Sequence, residues 1–152
     1  MDDAYYMNEA LKEAHKALAK AEVPIGAVIV YEGKIIARAH NQREKNHDAT
    51  AHAEILALRK AGEVLGGWRL IGTTLYVTIE PCPMCAGALV QARVSRLVYG
   101  AADPKAGAAG TLCNLVDDER FNHRLEVTGG VLEKESKKLM QDFFRSLRRA
   151  VQ

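Results

Sequence analysis

Cysteine is scarce in this chain. Three in 152 residues do not make a disulfide framework, and in a reducing compartment a close pair points to metal binding or catalysis. Long apolar runs are also missing. The longest, "VPIGAVIVY", has nine residues, far short of a bilayer span. The N-terminus "MDDAYYMNEA" is acidic and lacks an apolar core, so no secretory signal is visible and a cytoplasmic protein, away from membranes, is expected. No internal repeat, low-complexity tract or linker interrupts the chain. Net charge is low, at +2, too small to announce nucleic-acid binding. The charge is uneven, however. Residues 138–152 carry Lys138, Arg145, Arg148 and Arg149 against a single acid, Asp142. Such a tail is ordinarily a solvated helix face, and a phosphate-binding edge is the alternative.

What is present is an ordinary globular balance, 48% apolar and 26% charged. The length suits one domain, 1–152, around one core. Met7, Leu11, Ala14, Leu18 and Ala21 recur at helical spacing and predict an amphipathic helix over residues 3–21. "IGAVIVYEGKIIARAH" predicts two strands turning at Glu32-Gly33. Residues 41–50, "NQREKNHDAT", predict a polar loop. "AHAEILALRKAG" predicts a helix, with Thr50 as N-cap and Gly62 just past its end. A third strand is expected at 73–79, then a short helix, a fourth strand in "SRLVYGA", a Gly- and Ala-rich loop, and a short fifth strand in "LEVTGGV". From about 132, the residues Leu132, Leu139, Met140, Phe143, Phe144, Leu147 and Val151 mark a closing helix with a core-facing stripe. The order predicts an α/β fold, a three-layer α/β/α sandwich over a five-stranded mixed sheet. The strand-helix-strand stretch at 73–101 should pair in parallel.

"EPCPMC", residues 80–85, carries the chemistry. Pro is favoured at the first helical position, where its missing N–H has no partner anyway. With Pro83 there, Cys82 is the N-cap and Cys85 the third helical residue, a spacing at which two side chains approach each other. A helix N-terminus favours negative charge and lowers thiol pKa. Two convergent thiolates suit a soft divalent metal, but a complete site needs more ligands. Cys113 has no partner nearby and reads as a buried or idle thiol. His52 is the best third ligand, because it opens the second helix with Glu54 two residues on. His-x-Glu followed by Pro-Cys-x-x-Cys is the known signature of zinc nucleobase deaminases. It predicts one Zn2+ per chain on His52, Cys82 and Cys85, a fourth position for an activated water, and Glu54 as the proton shuttle. One tension remains, since residues i and i+2 do not share a face within a helix.

Together with "VPIGAVIV", "TAHAEI", "TLYVTIEPCPMCAGALV", "RVSRLVYGAADPKAGAAGTL", "FNHR" and "DFFRSLRR", these residues resemble the bacterial tRNA-specific adenosine deaminases over nearly the whole chain. The resemblance implies hydrolytic deamination of adenosine to inosine at the wobble position of a tRNA anticodon loop, usually that of an arginine tRNA, by a homodimer. By the same resemblance Asn41 would hydrogen-bond the target adenine, Asp103 and Asn122 would touch nucleotides nearby, and Phe144, Arg145, Arg148 and Arg149 would meet RNA from the closing helix. Three of these have a plainer use: a turn for Asn41, a turn before Pro104 for Asp103, and core packing for Phe144. Pro104 stands where other members often have another residue. Glu80 reads as an ordinary strand-end carboxylate or a supporting group. The rival readings are a guanine deaminase, a thiol redox protein, and a zinc-stabilised RNA-binding module without activity.

Overall fold

The computed structural model describes the backbone of residues 1–151 and the side chains of residues 1–150. In chain order the elements are α1 (Asp3–Ala19), β1 (Gly26–Tyr31), β2 (Lys34–His40), α2 (Arg43–Asn46), α3 (Ala53–Leu65), β3 (Thr73–Ile79), α4 (Pro83–Gln91), β4 (Arg96–Ala101), β5 (Glu126–Thr128) and α5 (Glu133–Val151). The strands form one sheet in the order β2-β1-β3-β4-β5. β1 is antiparallel to β2 and β3, while β3, β4 and β5 run parallel. The expected mixed sheet is therefore present, and its parallel half begins at the expected strand-helix-strand stretch.

Side chains alternate across a strand, and both faces of this sheet are covered. Ala27 and Ile29 join Leu75, Val77 and Leu97 under α3 and α4, with Ala53, Ala57, Ala86 and Leu89 supplied by the helices. Val28 and Val30 point the other way, with Tyr76 and Val98, against Tyr6, Met7 and Ala10 of α1. That explains the unbroken apolar run in β1, which has no solvent face to supply polar residues. The hairpin turns where expected. Glu32 and Gly33 have φ of 50° and 75°, the paired positive values of a two-residue hairpin loop.

Several boundaries differ from expectation. The polar loop at 41–50 contains α2, one helical turn. Thr50 does not cap α3: its N–H and hydroxyl both donate to Asp48 Oδ1, at 2.8 and 2.7 Å. The N-cap is His52. Gly62 does not end the helix either. Its carbonyl accepts the N–H groups of Gly66 and Gly67 at 2.9 and 3.1 Å, and Gly66, with φ of 74°, is the left-handed C-cap. The stripe on α5 is not a core stripe throughout. Ser136 is its buried residue, whereas Phe144 and Leu147 are 39% and 50% exposed. The side chain of Val151 lies outside the described residues.

Asp3 ties α1 to the sheet. Its carboxylate accepts Arg96 Nη1 and Nη2 at 2.9 and 2.7 Å and the Tyr76 hydroxyl at 2.8 Å. The Arg96 guanidinium outweighs burial and holds the Asp3 carboxyl below its ordinary range. A depressed carboxyl contributes stability above its unfolded pKa, and loses it as pH falls through the folded one. Asp3→Asn should cost about 1 kcal/mol near neutral pH, a figure discounted for the partial exposure of the pair. The gap to the wild type should close below about pH 4. Denaturant titration of both proteins across pH checks this.

Candidate active site

Two helix starts meet above the sheet. His52 is the N-cap of α3, with extended φ and ψ of −75° and 154°. Its side chain therefore leaves from outside the helix, while Glu54 sits in the first turn. This resolves the spacing conflict in His-x-Glu, because the two residues do not share regular helical geometry. Cys82 is the N-cap of α4, Pro83 opens the helix, and Cys85 lies one turn in, as the sequence predicted. His52 Nδ1 is 3.7 Å from Cys82 Sγ and 3.4 Å from Cys85 Sγ. The three ligand atoms lie within 4.8 Å of one another.

The electrostatics of this group follow from its closeness. The Cys85 thiol, with help from His52, holds Cys82 down to about 4. Cys82 in turn pushes Cys85 far up, since both thiols cannot ionise side by side in a buried place. Cys82 also raises His52. Glu54 is 4% exposed, and burial lifts its carboxyl to about 7. A carboxyl poised there can both take and return a proton near neutral pH.

His52, Glu54 and Cys82 open into a cavity of about 200 Å³ whose lining also includes Asn41, Asp103 and Phe144, while Cys85 lies buried behind it. Asn41 is 4% exposed and held at both ends. Its Nδ2 donates to the Val23 carbonyl at 3.3 Å, and its Oδ1 accepts Arg43 N–H at 3.1 Å. The turn role and the cavity position therefore coexist. Asp103 is likewise both: Oδ1 accepts the N–H groups of Lys105 and Ala106 at 2.9 and 3.2 Å. Phe144, Arg145 and Arg148 line an adjoining groove of about 650 Å³ with Asp103, Lys105 and Lys137. Arg149 is exposed and lines neither space. Asn122 is also exposed and outside both, in the turn before β5. Cys113 is exposed rather than buried.

Two buried carboxylates support the site. Glu22, 1% exposed, accepts the N–H groups of Glu44 and Lys45 at 3.1 and 2.8 Å. It does from a distance what a side-chain cap would do for α2, which has none of its own. Glu80, 2% exposed, is not a plain strand-end carboxylate. It accepts N–H groups of Asp103, Ala109 and Thr111 at 3.0, 2.9 and 3.1 Å, and the Thr111 hydroxyl as well. Burial alone would raise its carboxyl, but these donors outweigh it and hold the group below its ordinary value. The sequence signal in each case was an acid set beside an apolar run, in "AEVPIGAVIV" and "TLYVTIEPC".

Comparison with known proteins places this geometry. Residues 1–148 match the model of the MafB19-like deaminases. The tRNA-specific adenosine deaminase of Bacillus subtilis (strain 168) is 59% identical over 147 residues, covering 97% of this chain and 91% of that protein. A structure solved in a study of A-to-I editing by tRNA:A34 deaminases superposes with a TM-score of 0.86 at 47% identity, covering 89% of this chain and 98% of that one. A guanine deaminase structure from Bacillus subtilis is more distant, with a TM-score of 0.67 at 34% identity, covering 98% and 95%.

Proposed function

The chain belongs to the MafB19-like deaminase family, grouped closely with its tRNA-specific adenosine deaminases, and from that premise we propose that it converts adenosine to inosine at the wobble position of a tRNA anticodon. The observation that carries this reading is the buried Glu54 beside the His52, Cys82 and Cys85 cluster, at a cavity that Glu54, His52 and Cys82 line. In the same proposal the protein is a cytoplasmic homodimer acting on an arginine tRNA.

His52, Cys82 and Cys85 would hold one zinc ion. Tetrahedral coordination at about 2.0 Å to nitrogen and about 2.3 Å to sulfur sets ligand atoms about 3.5 Å apart, and the observed 3.4 and 3.7 Å bracket that value. Bound zinc supplies a Lewis acid that brings a water proton within reach of a neutral-pH base. The Glu54 carboxylate takes that proton and gives it to the adenine ring nitrogen as the water oxygen bonds to C6. The carboxylate then takes the proton left on the C6 hydroxyl and passes it to the amine, so that the C6–N bond breaks, ammonia leaves and the C6 carbonyl of inosine forms. Asn41, fixed by Val23 and Arg43, presents its amide to the base. The space suits one ring system, being below the about 300–1,000 Å³ of larger ligand sites. A base must therefore leave its stack to enter, which an anticodon loop allows. Asp103, Phe144, Arg145, Arg148, Arg149 and Asn122 are assigned to the flanking nucleotides and backbone.

The test is incubation of zinc-loaded protein with an anticodon stem-loop carrying adenosine at the wobble position. Inosine is expected there, and free guanine should remain unconsumed. Guanine turnover without inosine would transfer the protein to the guanine deaminases. Arg148→Ala should weaken stem-loop binding severalfold and flatten the plot of log affinity against log salt by about one unit. A slope identical to wild type would remove Arg148 from the interface.

A further inference from the structure

We infer that Glu80 is a positioning residue for RNA binding: its carboxylate latches the 103–111 segment to the Cys82 loop and so fixes Asp103 at the cavity mouth. The inference rests on the deamination reading above. A carboxylate only accepts, and all four groups facing Glu80 donate. Oε1 takes Asp103 N–H at 3.0 Å and the Thr111 hydroxyl, and Oε2 takes Ala109 N–H at 2.9 Å and Thr111 N–H at 3.1 Å. None of these partners is a cation. A buried carboxylate without one is costly unless it is fully hydrogen-bonded, so its use here is to organise backbone rather than to balance charge.

The surrounding chain is shaped to the same end. A Cβ on Gly107 would lie 2.4 Å from Glu80 Oε1 and 2.6 Å from the Asp103 carbonyl, so only glycine lets the segment wrap the carboxylate this closely. Ala108 N–H donates to the Pro81 carbonyl at 2.8 Å, and Glu80 N–H to the Ala101 carbonyl at 2.9 Å. Gly107 N–H closes on the Asp103 carbonyl at 2.9 Å. The loop that presents Cys82 and the loop that presents Asp103 are thereby one unit. Loosening the latch moves the wall shared by the cavity and the groove, while the His52, Cys82 and Cys85 cluster stands on two helix starts.

The test compares wild type with Glu80→Gln. The amide has the same shape but a single acceptor oxygen, so its NH2 must face two donors. Zinc content should stay at one per chain and kcat within about threefold, while KM for the anticodon stem-loop rises about tenfold. Thr111→Val removes only the hydroxyl donor and leaves the carboxylate with its three N–H partners. It should raise KM severalfold, and Thr111→Ser should restore it. Should Glu80→Gln fail to fold, the Thr111 pair decides. Wild-type KM in the zinc-loaded variants, or a loss confined to kcat, overturns the role given to Glu80. A wild type that forms no inosine in the same assay removes the deamination reading itself, and the inference with it.

Discussion

Glu54→Gln is expected to retain one zinc per chain and to slow inosine formation by roughly a thousandfold, about 4 kcal/mol of lost transition-state stabilisation. The reason lies in where Glu54 sits. It is buried to 4% exposure beside the cysteine-histidine cluster, and its carboxyl is lifted to about 7 by that burial. Among the described residues that line the cavity, the other two acids, Glu80 and Asp103, are engaged in hydrogen bonds to backbone. The Glu80 oxygens are committed to Asp103, Ala109 and Thr111, and the Asp103 Oδ1 is committed to its own turn. A glutamine keeps the shape and removes the transferable proton. Binding of the stem-loop should be little changed, because the groove residues stand on α5 and the Asp103 segment. Single-turnover kinetics with parallel metal analysis reads both quantities. A variant that keeps more than a tenth of wild-type activity would deny Glu54 the proton-transfer role. Loss of zinc together with activity would make it a structural carboxylate.

The second large effect is expected at the ligands. Cys82→Ala should lose zinc to below a tenth of an equivalent and bring inosine formation to background, because three protein ligands are the minimum of a catalytic site. Chelation of the wild type should reach the same end, and added zinc should restore only the wild type. Thermal unfolding separates this from simple misfolding. A metal that binds only the folded chain raises the melting temperature, so zinc should stabilise the wild type and leave Cys82→Ala unmoved. Full activity of the metal-free protein would contradict the assignment of these residues.

How far these features could be read in advance depended on whether they are local. β3 was legible to its ends, because Thr73–Ile79 is a β-branched run with punctuation on both sides. The start of α4 was legible because Pro83 admits few alternatives. The helix start at His52 was misplaced by two residues. Asp48 takes the Thr50 hydroxyl, a competition between neighbours that composition does not decide. The buried acids were out of reach for a different reason. Glu22 meets its partners some twenty residues on, and Glu80, just past the end of β3, meets Thr111 in the loop after β4, so only the fold brings donor and acceptor together. On α5 the apolar period was real, but its second half runs past the body of the domain. Phe144 then faces the cavity and groove rather than the core. Periodicity gives a face, and the topology decides what the face meets.

The most direct measurement is stem-loop turnover in 18O-labelled water, with the product digested and read by mass spectrometry. Hydrolysis at this site predicts that each inosine lies at the wobble position and carries one labelled oxygen at C6, with ammonia released in equal amount. Unlabelled product, inosine elsewhere in the loop, or an unchanged adenosine with zinc in place would contradict it.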